Sequence, residues 1–173
     1  MKKINTSNLK SEAKTLRAGD TVLLSGTVYT ARDAAHAKLC NMIDAGEPLP
    51  FALDGAVIYY AGPTPARDGM IIGSCGPTTS SRMDKFTPTL ISHGLIGMIG
   101  KGKRSESVIE AMKAHGATYF CAIGGAGALY AKCVKRAEVI AFDELGCEAV
   151  RRLEVEDFPL IVGIDAEGNS AIK

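Results

Sequence analysis

Leu95-Ile96-Gly97-Met98-Ile99-Gly100-Lys101-Gly102-Lys103-Arg104-Ser105-Glu106-Ser107-Val108-Ile109-Glu110-Ala111-Met112-Lys113-Ala114-His115-Gly116-Ala117-Thr118-Tyr119-Phe120-Cys121-Ala122-Ile123 is the stretch that decides the fold. The apolar run 95–99 reads as a buried strand ending in a glycine loop. Residues 105–115 read as a helix, with Val108, Ile109 and Met112 on one face and Gly116 as its stop. Residues 118–123 return to a strand. Working outward toward the N-terminus, a strand over 21–28 follows the turn Ala18-Gly19-Asp20, and a helix over 31–45 is ended by Gly46-Glu47-Pro48. A strand over 56–60 and a short apolar strand over 70–73 come next. A helix over 81–93 must bend or break at Pro88. Toward the C-terminus lie a short helix over 126–134 and strands over 138–142, 150–154 and 160–164, then a turn at Asp165–Asn169. The early part suggests α/β layering. The last three strands, with little helix between them, suggest antiparallel pairing. The expected fold class is α/β: a mixed sheet or open barrel flanked by helices.

Composition bounds the function. With 173 residues and 46% hydrophobic content, the chain can build one sizeable core, so a single domain over 1–173 is expected. Net charge is +1, so no global basic field gathers nucleic acid or an acidic membrane surface. Lys2 and Lys3 are followed by no apolar stretch of a signal peptide, and no apolar run approaches the roughly 20 residues of a membrane span. The five cysteines are odd in number and form no C-x-x-C pair, which disfavours a disulfide framework, a zinc ribbon and a loop-held iron–sulfur centre. A reducing, cytoplasmic home with no metal ligands supplied by this chain is the expectation.

Three loops carry the informative cations. In Gly26-Thr27-Val28-Tyr29-Thr30-Ala31-Arg32-Asp33-Ala34-Ala35-His36, Thr30 and Asp33 resemble a capping box, which puts Arg32 in the first turn of a helix. A cation there opposes the helix dipole unless an anion joins it. A helix N-terminus with a guanidinium suits a carboxylate or phosphate, and a solvated surface arginine is the plain alternative. In Gly73-Ser74-Cys75-Gly76-Pro77-Thr78-Thr79-Ser80-Ser81-Arg82-Met83-Asp84, four hydroxyl residues crowd a helix start beside Arg82, an arrangement that also serves as a rich N-cap. In Gly97-Met98-Ile99-Gly100-Lys101-Gly102-Lys103-Arg104-Ser105, a strand ends and Lys101 stands in a glycine turn. Leu95 and Gly102 occupy positions that a Walker A loop reserves for glycine and a hydroxyl, and Ser105 breaks G-x-G-x-x-G. Lys103 and Arg104 read as solvated charge. Strand-to-helix loops gather at the carboxyl ends of strands in open α/β sheets. Two arginines and a lysine gathered there suit a small dianion such as a dicarboxylate. The residues alone do not give the reaction.

Other constellations are plainer. His36 and Cys40, four apart on one helix, read as core positions, since two ligands do not make a metal site. His93 and His115 sit near helix ends, where the dipole accounts for them. Gly124-Gly125-Ala126-Gly127-Ala128 reads as a helix start packed closely on the sheet.

The three cation loops resemble the signatures of the fumarate hydratase C-terminal domain family, which covers class I fumarases and tartrate dehydratases. The likeness continues through Gly124-Gly125-Ala126-Gly127-Ala128-Leu129-Tyr130 and Glu154-Val155-Glu156-Asp157-Phe158-Pro159, and so covers nearly the whole chain. The resemblance implies a swivelling β/β/α domain and a larger partner that binds a [4Fe–4S] cluster through three cysteines. It places that partner on a separate α polypeptide, in an expected α2β2 assembly. It implies reversible water addition to a C4 dicarboxylate, with the cluster's open iron as Lewis acid. By the same likeness Arg32, Arg82 and Lys101 would hold the substrate carboxylates, and Thr78 would be the base that removes the C3 proton. A threonine alcohol is a very weak base and needs nearby cations to stabilise its alkoxide. Cys75 departs from the small apolar residue expected there and raises the expectation of an oxidant-sensitive site. The leading expectation is a fumarate hydratase β subunit, the runner-up an L(+)-tartrate dehydratase β subunit. A non-catalytic anion-binding module stands as the alternative from another class.

Overall fold

The deciding stretch folds as strand, helix, strand. In this computed structural model, which describes residues 1–173, β4 (Gly97–Gly100) leads into α4 (Glu106–His115), and β5 (Thr118–Cys121) returns parallel to β4. Ser105 caps α4, its Oγ accepting the Val108 N–H at 3.4 Å. Gly116, at φ 74°, closes the helix with its N–H on the Met112 carbonyl, a left-handed position that favours glycine. Ahead of this unit lie β1 (Lys2–Asn5), α1 (Leu9–Glu12), β2 (Thr21–Thr30), α2 (Asp33–Asp44), β3 (Val57–Tyr59) and α3 (Thr87–Ser92). After it come α5 (Gly127–Cys133), β6 (Val134–Ala141) and β7 (Val150–Ile164).

The strands form one mixed sheet. β2, β3, β4 and β5 run parallel, and β7 pairs antiparallel with both β5 and β2. That double pairing closes β2-β3-β4-β5-β7 into a ring, with β1 on the margin of β2 and β6 on the margin of β7. The early α/β layering and the late antiparallel pairing are both present. The barrel is closed because β7 is a single strand of 15 residues, about 50 Å of chain, where two short strands were expected. Pro159 and the positive φ of Asp157 (50°) lie inside it without ending it. Pro159 lies opposite Leu23 of β2, and the ladder continues on both sides.

Other expectations shift by local physics. Residues 70–73 form no strand: Thr64 takes the backbone partners of Ser74, donating its N–H to the Ser74 carbonyl and accepting the Ser74 N–H at its hydroxyl, so the segment closes a loop instead. Pro88 starts α3 rather than bending a longer helix, and a 3-10 turn at Ser80–Met83 precedes it. β1 and α1 carried no clear sequence signal. β1 gains its order by pairing Lys2–Asn5 with Val22–Ser25.

Period-two alternation divides the apolar residues between two cores. Val57, Tyr59, Ile99 and Phe120 point into the barrel, where Tyr59, Tyr130 and Phe158 pack with ring centroids 4.5–6.4 Å apart. Ile58, Tyr60, Met98 and Tyr119 point outward and are covered by helices α2, α3 and α4. The glycine-rich segment before α5 is a packing device: Cys75 donates its N–H to the Gly127 carbonyl at 3.1 Å, and a Cβ on Gly127 would lie 3.0 Å from the Gly76 nitrogen.

Candidate functional site

Four parallel strands end side by side on one rim of the barrel, in the order β2, β3, β4, β5. Arg32 follows β2 and is the N-cap residue of α2, not a first-turn residue. Thr30 does not cap that helix. It ends β2, where its hydroxyl accepts the Arg151 N–H at 3.1 Å. The start of α2 instead receives Glu148, whose carboxylate accepts the Ala34 N–H at 3.4 Å. Arg32 makes no ion pair, and its Nε is buried without a hydrogen-bond partner. Its guanidinium lies across the end of β3: a Cβ on Gly62 would stand 2.9 Å from Arg32 Nη1. Only the missing side chain at Gly62 leaves that space.

Thr78 is seated on the end of β3, its N–H donated to the Tyr60 carbonyl at 2.7 Å. Thr79 bridges to Lys101, and Ser80 donates its N–H to the Lys101 carbonyl at 2.9 Å. The Thr78 turn therefore lies between the ends of β3 and β4. Lys101 follows β4, is exposed and unpaired, and reaches over the end of β5, with its Nζ 3.6 Å from where a Cβ on Gly124 would stand. Arg32 and Lys101 thus arise two strands apart, roughly 10 Å at the rim, with Thr78 between them.

Arg82 joins this end through α2. It grips Asp33 with both arms of its fork, Nη2–Oδ2 at 2.7 Å and Nε–Oδ1 at 3.2 Å. Its side chain is 51% exposed, so the charge is partly compensated and in contact with water. Of the three cations named from sequence, Arg32 and Lys101 are uncommitted, and Arg82 already holds a carboxylate.

Arg104 overturns its reading as solvated charge. Its side chain is 0% exposed and paired with Asp84, Nε to Oδ1 at 2.7 Å. Burial opposes the charge, yet Tyr60 and Asp84 outweigh it and hold the guanidinium above its ordinary pKa. The signal for this lay in Asp84, twenty residues away, and not in the basic run itself.

His36 is buried. Its Nδ1 donates to the Arg32 carbonyl at 2.8 Å, which fixes the backbone that carries Arg32. Burial pulls its pKa down to about 4. Cys40 points elsewhere, toward the Phe86 carbonyl at 3.9 Å. Cys75 is fully buried and its thiol is pushed up to about 12 by burial, so the expected oxidant sensitivity has no basis in an accessible thiolate. The five cysteines are all free and dispersed, and no three His, Cys, Asp or Glu residues group to hold a metal ion. The residues of this chain do not fit a [4Fe–4S] cluster. No helix is long and apolar enough to cross a membrane.

Comparison with known proteins gives the family. The family model described as Fumarase C-terminus matches residues 1–173. The "Putative L(+)-tartrate dehydratase subunit beta" of Methanocaldococcus jannaschii is 42% identical over 167 residues, covering 93% of this chain and 86% of that protein. "Fumarate hydratase 2" of Leishmania major is 47% identical over 153 residues, covering 87% of this chain and 27% of that protein. "Fumarate hydratase class I, anaerobic" of Escherichia coli (strain K12) is 46% identical over 148 residues, covering 84% of this chain and 27% of that protein. The chain therefore spans about a quarter of the length of these fumarate hydratases.

Proposed function

The chain belongs to the fumarase C-terminus family, and on that premise we propose that it is the β subunit of a two-subunit class I fumarate hydratase, which adds water reversibly to fumarate to give (S)-malate. The observation that carries this reading is the rim. Two uncommitted cations, Arg32 and Lys101, stand on either side of Thr78 at adjacent strand ends. A C4 dicarboxylate presents two negative ends with its reacting carbons between them, which matches a base flanked by cations. Support for a separate subunit comes from the near full-length match to a protein named as a β subunit.

In this proposal Arg32 and Lys101 each take one end of the dianion. The buried, unpartnered Nε of Arg32 is then satisfied by a carboxylate oxygen, which a guanidinium fork binds in two places. Arg82 shares or exchanges Asp33 for the same substrate. Thr78 is the candidate base for the C3 proton, and the surrounding cations stabilise its alkoxide. The [4Fe–4S] cluster belongs to an α subunit, and α2β2 pairing is the expected assembly. Five free thiols suit a reducing cytoplasm.

A second reading has its own support: the M. jannaschii relative carries the name of a tartrate dehydratase. Anaerobic co-expression of the chain with its cluster-bearing partner, followed by assays on malate, fumarate and tartrate, separates the two. Fumarate hydration that requires both polypeptides supports the first reading. Conversion of tartrate to oxaloacetate without fumarate hydration selects the second. A loaded, assembled pair inactive on all three rejects both and leaves an anion-binding module.

A further inference from the structure

Arg104 is the one lysine or arginine that the fold buries. Besides its bond to Asp84, its Nη2 donates to the Tyr60 hydroxyl at 3.1 Å and to the Thr87 hydroxyl at 2.9 Å. Its guanidinium lies over the rings of Tyr60 and Tyr119, 5.1 and 4.9 Å from their centroids. The second oxygen of Asp84 accepts the Ser105 N–H at 2.7 Å, where α4 begins. Tyr119 gives its one hydroxyl proton to the Gly102 carbonyl at 2.9 Å, so Ser80 is the donor in the 2.8 Å bond between their oxygens.

Four branches of this network end beside residues of the rim. Asp84 follows Arg82 by two residues, and Ser80 follows Thr78 by two. Tyr60 offers its carbonyl to Thr78, and Gly102 adjoins Lys101. A buried ion pair repays its desolvation poorly as a source of stability, and an apolar pair fills the same space at less cost. Stability is therefore a weak reason for this arrangement. Its distinctive effect is on register between two loops that share no other charged contact.

We propose that Arg104 and Asp84 are a positioning pair: they fix the Thr78–Arg82 turn against the Lys101 loop, so that Thr78, Arg82 and Lys101 meet one substrate at one spacing. This rests on the reading above that those three residues act on a dicarboxylate. Neither partner touches substrate. Lysine at position 104 keeps the charge but not the fork, and cannot hold Asp84, Tyr60 and Thr87 together.

The test compares Arg104→Lys, Asp84→Asn and the double variant with Val22→Ala, in enzyme reconstituted with the partner subunit. Val22 is buried at the start of β2, the opposite end of that strand from the rim, and serves as a control for lost stability alone. Kinetic constants for fumarate are measured well below each unfolding temperature, together with amide exchange over residues 78–84 and 100–105. Arg104→Lys and Asp84→Asn are each expected to lower kcat/KM about tenfold or more, and the double variant no further than the worse single one. Exchange should quicken in both segments, while Val22→Ala loses stability with unchanged kcat/KM. The proposal is overturned if Arg104→Lys keeps kcat and KM within about twofold of wild type. Wild-type enzyme that hydrates no C4 dicarboxylate defeats the functional reading instead. Amide exchange then decides the pairing alone, and unchanged exchange in Arg104→Lys overturns it.

Discussion

Replacing Gly100 with alanine is expected to damage this protein well beyond the size of one methyl group. Gly100 ends β4 and its φ is not positive, so alanine meets no backbone strain there and the cost is steric. The new Cβ would collide with Ser80 Oγ, stand 2.8 Å from Tyr60 Cδ2 and lie 3.3 Å from Ser80 Cβ. Neither neighbour has room to leave. Tyr60 is fully buried with its hydroxyl held by Arg104, and Ser80 is buried against the Tyr119 hydroxyl and the Lys101 carbonyl. Overpacking a core costs about 1–3 kcal/mol, and a Ser80 hydroxyl forced away from Tyr119 adds about 1–3 kcal/mol as an orphaned buried group. The sum, about 2–6 kcal/mol, corresponds to a fall in Tm of roughly 5–20 °C for a domain of this size. Thermal unfolding followed by circular dichroism measures it. Ser80→Ala removes the colliding oxygen and leaves Tyr119 bonded to Gly102, so it should cost about 1 kcal/mol alone and recover part of the loss in the double variant. A Gly100→Ala protein that melts with wild type, or a double variant whose losses simply add, would refute the packing argument.

Further outcomes follow from the same contacts. His36 titrates at about 4 when folded, against an ordinary 6.5, so the unfolded chain binds its proton first as pH falls. Stability contributed by keeping it neutral is complete above 6.5 and is lost down to about 4, in all about 3 kcal/mol. Urea unfolding at neutral pH and near pH 4 should show this loss in wild type and a smaller one in His36→Gln. Arg82→Ala removes a half-exposed pair, so its stability should change by less than about 1 kcal/mol while kcat/KM on fumarate falls about a hundredfold. A large drop in Tm would instead make Arg82 a structural residue. Alkylation of the native chain, read by mass spectrometry, should modify exposed Cys147 first and buried Cys75 last.

The parts of this fold that could be read in the sequence are those in which neighbours along the chain set the outcome. Ser105, Val108, Met112 and Gly116 define α4 within one short window, and the continuous apolar run Val57-Ile58-Tyr59-Tyr60 suits a strand buried on both faces. The closure of the barrel was not readable, because Asp157 and Pro159 look like breakers until β2 is there: Pro159 lies opposite Leu23, and Asp157 donates its N–H to the Ser25 hydroxyl at a shift in the ladder. Thr30 shows the same effect in reverse: its spacing to Asp33 suits a cap, but Arg151 from a distant strand claims its hydroxyl. Among site residues, the strand-to-helix loops pointed to Arg32, Arg82 and Lys101, the family resemblance alone pointed to Thr78, and the strand order then set their loops on a shared rim. The engagement of Arg82 by Asp33 and the burial of Arg104 depend on contacts across 49 and 20 residues, which local patterns do not report.

The proposed chemistry requires that substrate carboxylates be held by side chains of this chain, from the ends of separate strands. The most direct measurement is kcat/KM for fumarate in the reconstituted enzyme with Arg32→Ala and with Lys101→Ala, beside Lys113→Ala, a lysine of α4 paired with Glu110 away from the rim. A loss of about a hundredfold or more is expected in each of the first two, about 3 kcal/mol of transition-state binding, and none in the third. Turnover within about twofold of wild type in both rim variants would contradict it.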